Sequence, residues 1–354
     1  MKQSEKTREL LIQHCKRYPH LKSADIFKFL YQSAFGCEHM VRSSEYAAEY
    51  IQKEYDSMSF TVPNMIDELD GDYSRLSLSY LSNGLSATTL GKLFCLSAKS
   101  EDGAQEALKE KLAVAATLVS DGIIAIPPIE FFTELKKWEL KGYPSLHHSD
   151  TFKSEYHPAY RVISNRYVKF LPLFSELDKR LESGTVKLAI EGGSASGKTT
   201  LAALLKSIYD CAVFHMDDFF LRPEQRTPTR FAEIGGNVDR ERFLEEVLIP
   251  LSENRPITYR RFDCSMYSLL PATDIAQRPL TVVEGAYSMH PELEKYYDLS
   301  VFLDISSKHQ CERIEKRNSP EMATRFFNEW IPLEVRYFDG SKVKERCDIV
   351  ISVS

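Results

Sequence analysis

The chain has 354 residues, 43% hydrophobic and 27% charged, enough for two domains with separate cores. Its 45 basic against 51 acidic residues give a formal net charge of −6, a balance with nothing to attract nucleic acid or an anionic membrane surface. Seven scattered cysteines with no Cys-x-x-Cys pair argue against a disulfide framework or structural zinc, and for free thiols in a reducing compartment. With no signal-like apolar core near the start and no apolar run of about 18 residues, the expectation is a cytoplasmic protein.

The first half reads as mainly helical. "SADIFKFLYQSAFG" puts Phe27, Leu30, Tyr31 and Ala34 on one face, with a cap expected at Ser23 and a stop at Gly36. "SSEYAAEYIQKEY", "SATTLGKLFCLSAKS" and "DGAQEALKEKLAVAATLV" have the same helical spacing, and the alternation from Arg75 to Leu81 predicts a strand. No motif here carries a nameable chemistry. Glu38 and His39 fall at a helix end, and one later stretch gathers His147, His148, Tyr156, His157, Tyr160 and Arg161 without tight metal spacing. Residues 1–178 are therefore read as an accessory domain, one that adds substrate contacts, senses a metabolite or mediates assembly.

Past Gly184 the rhythm changes. "VKLAIEG", "CAVFHMD", "LTVVEGAYS", "SVFLDIS" and "CDIVISV" alternate with amphipathic helices, which predicts an α/β domain over 185–354 with a parallel sheet covered on both faces. Directly after the first strand, Gly192-Gly193-Ser194-Ala195-Ser196-Gly197-Lys198-Thr199 fits the P-loop pattern, and a helix with Leu201, Leu204, Leu205 and Ile208 follows. In such a loop, through Thr200, backbone N–H groups and a helix N-terminus converge on phosphate oxygens. Lys198 would reach the β/γ-phosphates, and the Thr199 hydroxyl would help hold Mg²⁺. ATP with Mg²⁺ is the expected pair.

Strand ends face the ligand crevice in such sheets, which puts Asp217, Asp218 and Glu284 there. One of the two aspartates is placed to take an acceptor hydroxyl's proton while its neighbour turns toward packing or substrate; aspartate also suits a helix N-cap. Glu284 suits Mg²⁺ through water. Arg313 and Arg317 lie four apart on one helix face, followed by Ser319-Pro320 opening a new helix, an arrangement suited to a lid over a triphosphate. No Asn-Lys-x-Asp guanine-reading motif follows.

With these residues in hand, the segment from about Val186 to Ser352 resembles the uridine kinase/phosphoribulokinase family of P-loop kinases. The resemblance rests on the order of "EGGSASGKTT", "HMDDFF", "GGNVDRERF", "PITYRRFD", "VVEGAYSMHP", "ERIEKRN" and "WIPLEVRYF". It implies Asp217 as the base, Asp239 on ribose hydroxyls, Tyr259 lining a base pocket, Glu284 serving Mg²⁺ and phosphate, and Arg313 with Arg317 in the lid. Two places depart from it: "NSPEMATRF" stands where an Arg-Gly-Arg lid is expected, and Asp263-Cys264 where a pocket histidine is. The expectation is a kinase acting on a hydroxyl of a small molecule, a nucleoside first, with a non-nucleoside metabolite or a nucleotide-sensing regulatory ATPase as alternatives. A homo-oligomer is compatible with all three.

Overall fold

The computed structural model describes residues 2–37, 43–59, 65–98 and 105–353; Glu38 and His39 lie outside them. The chain divides into two compact units, Met1–Ser175 and Glu176–Ser354.

The first unit begins with α1 (Lys2–Arg17), α2 (Ser23–Phe35) and α3 (Ser44–Asp56). A short β1 (Ile66–Glu68) and β2 (Tyr73–Ser77) come next, then α4 (Ala87–Ala98), α5 (Gln105–Ser120), α6 (Pro128–Leu140) and α7 (Asp150–Tyr156). β3 (Tyr160–Ser164) and α8 (Asn165–Val168) lead into α9 (Leu171–Leu181). The division between the units falls inside α9, ahead of the Ser183-Gly184 turn where the sequence rhythm changes.

α2 is the central helix of this unit. Ile26, Phe27, Phe29 and Leu30 are all fully buried, so apolar side chains wrap most of its circumference, as in a helix enclosed by others. Its cap lies one residue earlier than expected: the Lys22 amide donates to Asp25 Oδ2 at 2.9 Å. Gly36 ends it with φ +63°, a conformation that costs glycine nothing.

The strand expected over Arg75–Leu81 is real but shifted. β2 ends at Ser77, whose hydroxyl accepts from the Ser79 amide and starts a 3₁₀ turn over Leu78–Asn83. All five residues of β2 are buried, so the polar–apolar alternation did not mark a wet face. β2 is the middle of a three-stranded antiparallel sheet, paired with β1 and with β3.

The second unit opens with β4 (Val186–Gly192), α10 (Lys198–Ile208) and β5 (Cys211–His215). α11 (Pro228–Ala232) and α12 (Arg240–Phe243) follow, the latter running through a wide π turn at Leu244–Leu248 into α13 (Ile249–Ser252). Two small antiparallel pairs are formed by β6 (Ile257–Tyr259) with β9 (Thr273–Ile275), and by β7 (Phe262–Asp263) with β8 (Ser268–Leu269). The remainder is β10 (Leu280–Glu284), β11 (Leu299–Asp304), α14 (Ser307–Arg317), α15 (Pro320–Arg325), α16 (Ile331–Ser341), α17 (Val343–Arg346) and β12 (Ile349–Ser352).

Five of these strands make a wholly parallel sheet in the order β12-β11-β4-β10-β5. Leu188, Ala189, Ile190, Val282, Val283 and Val301 are fully buried, the unbroken apolar runs of a sheet covered on both faces. α10 lays Leu201, Ala202, Leu205 and Ile208 into the core; each fully buried leucine contributes roughly 1.5–3 kcal/mol.

After β4 the chain crosses to β5, and it later returns to β11 on β4's other side. The crevice at the carboxyl ends of β4 and β10 is therefore the switch point where ligands bind in such sheets. Register sharpens this: Glu284, the last residue of β10, pairs with Ile190 on one side and His215 on the other.

Candidate phosphate-binding site at the carboxyl ends of the strands

The loop between β4 and α10 is shaped by three left-handed residues: Gly192 at φ +144°, Ala195 at +59° and Gly197 at +97°. A side chain at Gly192 would put its Cβ 2.7 Å from the Leu303 carbonyl, so this glycine is required by the close approach of β11. Gly197 is the residue before α10 and makes no side-chain cap, which leaves the first amides of that helix available. Ser196 Oγ is buried with no hydrogen-bond partner. A buried hydroxyl with no partner, next to the uncapped first amides of α10, is an arrangement that fits an oxyanion such as phosphate.

Lys198 turns back over the loop, donating to the Gly192 and Gly193 carbonyls at 2.8 and 3.0 Å. Thr199 Oγ1 donates to Glu284 Oε1 at 2.9 Å, and His215 Nδ1 meets the same oxygen at 2.6 Å. That contact raises the His215 pKa, the imidazolium being stabilised by the carboxylate. Among the described residues no group of three or more His, Cys, Asp or Glu could hold a metal alone. A hydroxyl and one carboxylate suit Mg²⁺, which keeps waters and takes phosphate oxygens as its other ligands.

Asp217 and Asp218 lie in a 3₁₀ turn just past β5, not on the strand itself, so strand alternation is not what separates them. The turn still sends them to different environments. Asp218 is buried: Tyr259 Oη donates to its Oδ2 at 3.1 Å, Arg261 Nε to its Oδ1 at 3.0 Å, and Arg242 binds its carbonyl. Asp217 is exposed to solvent and makes no hydrogen bond or ion pair among the described residues. Its pKa is raised, first by desolvation from the packed groups around it, with Lys198 pulling it down and Glu284 pushing it up.

Tyr259 is a core side chain, stacked on Phe219 with ring centroids 5.6 Å apart, and its hydroxyl is committed to Asp218. Asp239 is also buried and caps α12 through Arg242 N. Its Oδ2 has no hydrogen bond, only Arg242 Nε and Arg222 Nε at 3.4 and 3.6 Å. Arg313 reaches the loop, donating to the Ala195 carbonyl at 3.2 Å, while Arg317 lies over the Phe326 ring. Thr200 is exposed on the first turn of α10. The structure thus gathers Lys198, Thr199, Glu284, Asp217 and Arg313 about one crevice and leaves Arg317 without a contact to the loop.

Three residues packed against the loop were not read from sequence. Glu334 of α16 accepts from Ser194 N at 2.9 Å and from Ser194 Oγ at 2.6 Å, so a carboxylate occupies a backbone donor of the phosphate loop. Gln310 of α14 donates to the Ser194 carbonyl. Glu191 is fully buried under the loop, accepting from Gly192 N, Met289 N and Tyr337 Oη, and burial pushes its pKa up to about 7. Beside the crevice, the β7–β8 hairpin carries Cys264 and Tyr267, with Arg226 over the Phe262 and Tyr267 rings at 5.8 and 5.0 Å.

No family model matches the chain. Among solved structures the chain is similar to a possible uridine kinase from Bacillus stearothermophilus, 21% identical, covering 51% of this chain and 98% of that one with a TM-score of 0.38. It is also similar to the shikimate kinase from Bacteroides thetaiotaomicron, 13% identical over 48% of this chain and 86% of that one, TM-score 0.26. A third is the deoxyadenosine kinase from M. mycoides with bound dATP, 16% identical over 47% and 91%, TM-score 0.21. The fold assignment rests on the strand order and loop geometry described above.

Proposed function

We propose that residues 185–354 form an ATP- and Mg²⁺-dependent kinase that phosphorylates a hydroxyl of a small metabolite, a nucleoside being the first candidate. The observation that carries this reading is the contrast between two adjacent aspartates. A carboxylate with both oxygens occupied, as in Asp218, supports structure; Asp217 is left open beside the phosphate loop, where an acceptor hydroxyl needs a base. A raised pKa brings Asp217 nearer the operating range of such a base.

The loop amides and Lys198 bind and orient the phosphates, with Lys198 exchanging its two loop carbonyls for phosphate oxygens. Thr199 and Glu284 would hold Mg²⁺, which supplies charge neutralisation at the transferring phosphate. Arg313, which donates to Ala195 O in the loop and to Val353 O, would add a donor by exchanging the Ala195 contact for a phosphate oxygen. Asp239 Oδ2, without a hydrogen bond and held only by two long contacts to Arg242 and Arg222, suits a hydroxyl of the acceptor, which supports a polyol-bearing substrate such as a ribose. The deciding experiment is ADP release across a panel of nucleosides and other hydroxylated metabolites. Turnover that depends on one acceptor is expected; phosphate released to water at the same rate with or without any acceptor would replace this reading by a regulatory ATPase.

Glu334 makes a separate prediction. Its carboxylate holds a loop donor that a phosphate would use, and a like charge beside a bound phosphate repels it; relief of about 1.4 kcal/mol of that repulsion is tenfold in affinity. Glu334→Gln keeps an acceptor for Ser194 but removes the charge, so ATP should bind about tenfold tighter by calorimetry. Unchanged or weaker binding would mean that Glu334 only braces the loop.

A further inference from the structure

The first unit contains a cavity of about 430 Å³, the size of a small-metabolite site, and nothing above gives it a role. Its walls are aromatic, with Tyr31, Tyr46, Tyr50, Phe94 and Tyr160 among the lining side chains. Lys28 opens into it from α2.

Lys28 is 8% exposed, and its ammonium donates once, to the Leu146 carbonyl at 2.8 Å. No carboxylate pairs with it among the described residues. Asp25 on the same helix cannot serve, because its two oxygens already accept from Lys22 N, Ser149 N, Ser149 Oγ and His148 Nδ1. A buried ammonium without an anion is unfavourable, and burial accordingly pushes the Lys28 pKa down to about 8. Arg161 adds a second cation to the wall, but it is already matched by Glu54 at 2.7 Å. Among the described residues, the charge set facing the cavity is therefore one positive charge in excess.

Another part of the lining is fixed in advance. Desolvation drives the His148 pKa down to about 4, so the ring is neutral. With its Nδ1 proton directed at Asp25 (3.0 Å), Nε2 is left to accept from Tyr160 Oη at 2.6 Å. His148 also stacks on Phe152, centroids 4.3 Å apart. A rigid Asp25–His148–Tyr160 chain presenting an aromatic face is a preorganised surface.

We propose that this cavity binds a small organic anion with a flat apolar body, the aromatic rings taking the body and Lys28 the carboxylate or phosphate group. Such a ligand supplies an anionic partner, of which Lys28 has none among the described residues. The proposal stands independently of the kinase reading.

Calorimetry on the full chain tests it with phenyl phosphate and benzoate as the two anionic arms, phenol as the neutral counterpart and inorganic phosphate as the bodiless one. One aromatic anion should bind at least about tenfold tighter than phenol and than inorganic phosphate, and the better arm identifies the head group. Lys28→Met should erase that preference, Lys28→Arg should keep it within a few fold, and Lys198→Ala should leave it intact. Loss of binding in Lys198→Ala would place the anion at the phosphate loop instead and overturn the proposal. So would binding indifferent to Lys28→Met, or no aromatic anion binding at about 1 mM. If Lys28→Met does not fold, protection of Lys28 from reductive methylation by the same anions in the parent protein decides, absence of protection counting against it.

Discussion

Asp217→Asn is expected to slow phosphoryl transfer about 10²- to 10⁴-fold in single-turnover assays while ATP affinity stays near that of the parent, because an amide cannot accept a proton. Asp217 is open to solvent and makes no hydrogen bond among the described residues, so the same change should leave the melting temperature nearly unmoved. Asp218→Asn should do the reverse. There the amide keeps one acceptor but turns an NH₂ toward either Tyr259 Oη or Arg261, at a cost of about 1–3 kcal/mol, read as a lower Tm and a raised acceptor KM. A dead Asp218→Asn enzyme with a normal Tm, beside an active Asp217→Asn, would exchange the two roles. If neither variant slows transfer, the base-catalysed mechanism is wrong.

Lys198→Ala is the second large effect. Removing one preorganised donor to transition-state charge typically costs about 2.7–4 kcal/mol, a loss of roughly 10²–10³ in kcat. The side chain is half-buried and its partners are two carbonyls of its own loop, so no core cavity opens and the variant should fold. A second signature separates it from a merely bent loop. Lys198 holds down the carboxyl pKa values of Asp217, Glu334 and Glu191. Without it Asp217 stays protonated to higher pH, so the acid limb of the residual activity should move upward. Residual activity near that of the parent, in a folded variant, would remove the P-loop assignment.

Much of the second unit was legible because its signals are local. Five short apolar runs became the five parallel strands, and the glycine spacing of the loop is itself a backbone requirement, as the approach of Leu303 to Gly192 shows. The Ser319-Pro320 cap likewise appears as read, with Ser319 Oγ accepting from Met322 N. What escaped lies in contacts distant along the chain. Glu334 is 140 residues from Ser194, and nothing in "WIPLEVRYF" marks it as a loop ligand. His215 stood in the quoted "HMDDFF", yet its contact with Glu284 follows from β5 pairing with β10, an order that sequence periodicity does not encode. Tyr259 shows a different limit: the resemblance implies a pocket-lining residue and the structure packs it on Phe219, and an aromatic in a short strand reads the same from either environment. In the first unit α2, α3, α4 and α5 were visible, but α1, α6 and α7 were not named, nor was β3, whose "YRVIS" pairing partner is far away in sequence.

The cysteines end with a practical consequence. Of the seven, Cys264 is the exposed one, while Cys37 and Cys211 are buried and the others are half-buried. It sits on the β7–β8 hairpin, and its thiol pKa is raised, first by partial burial and then by nearby charges that include Asp217. Exposure, not acidity, favours this thiol. Alkylation at a pH high enough to form its thiolate should therefore place a fluorescent or mass tag first at this position, beside the open carboxylate. Such a label would report arrivals at the crevice in real time, without mutation and without waiting for turnover.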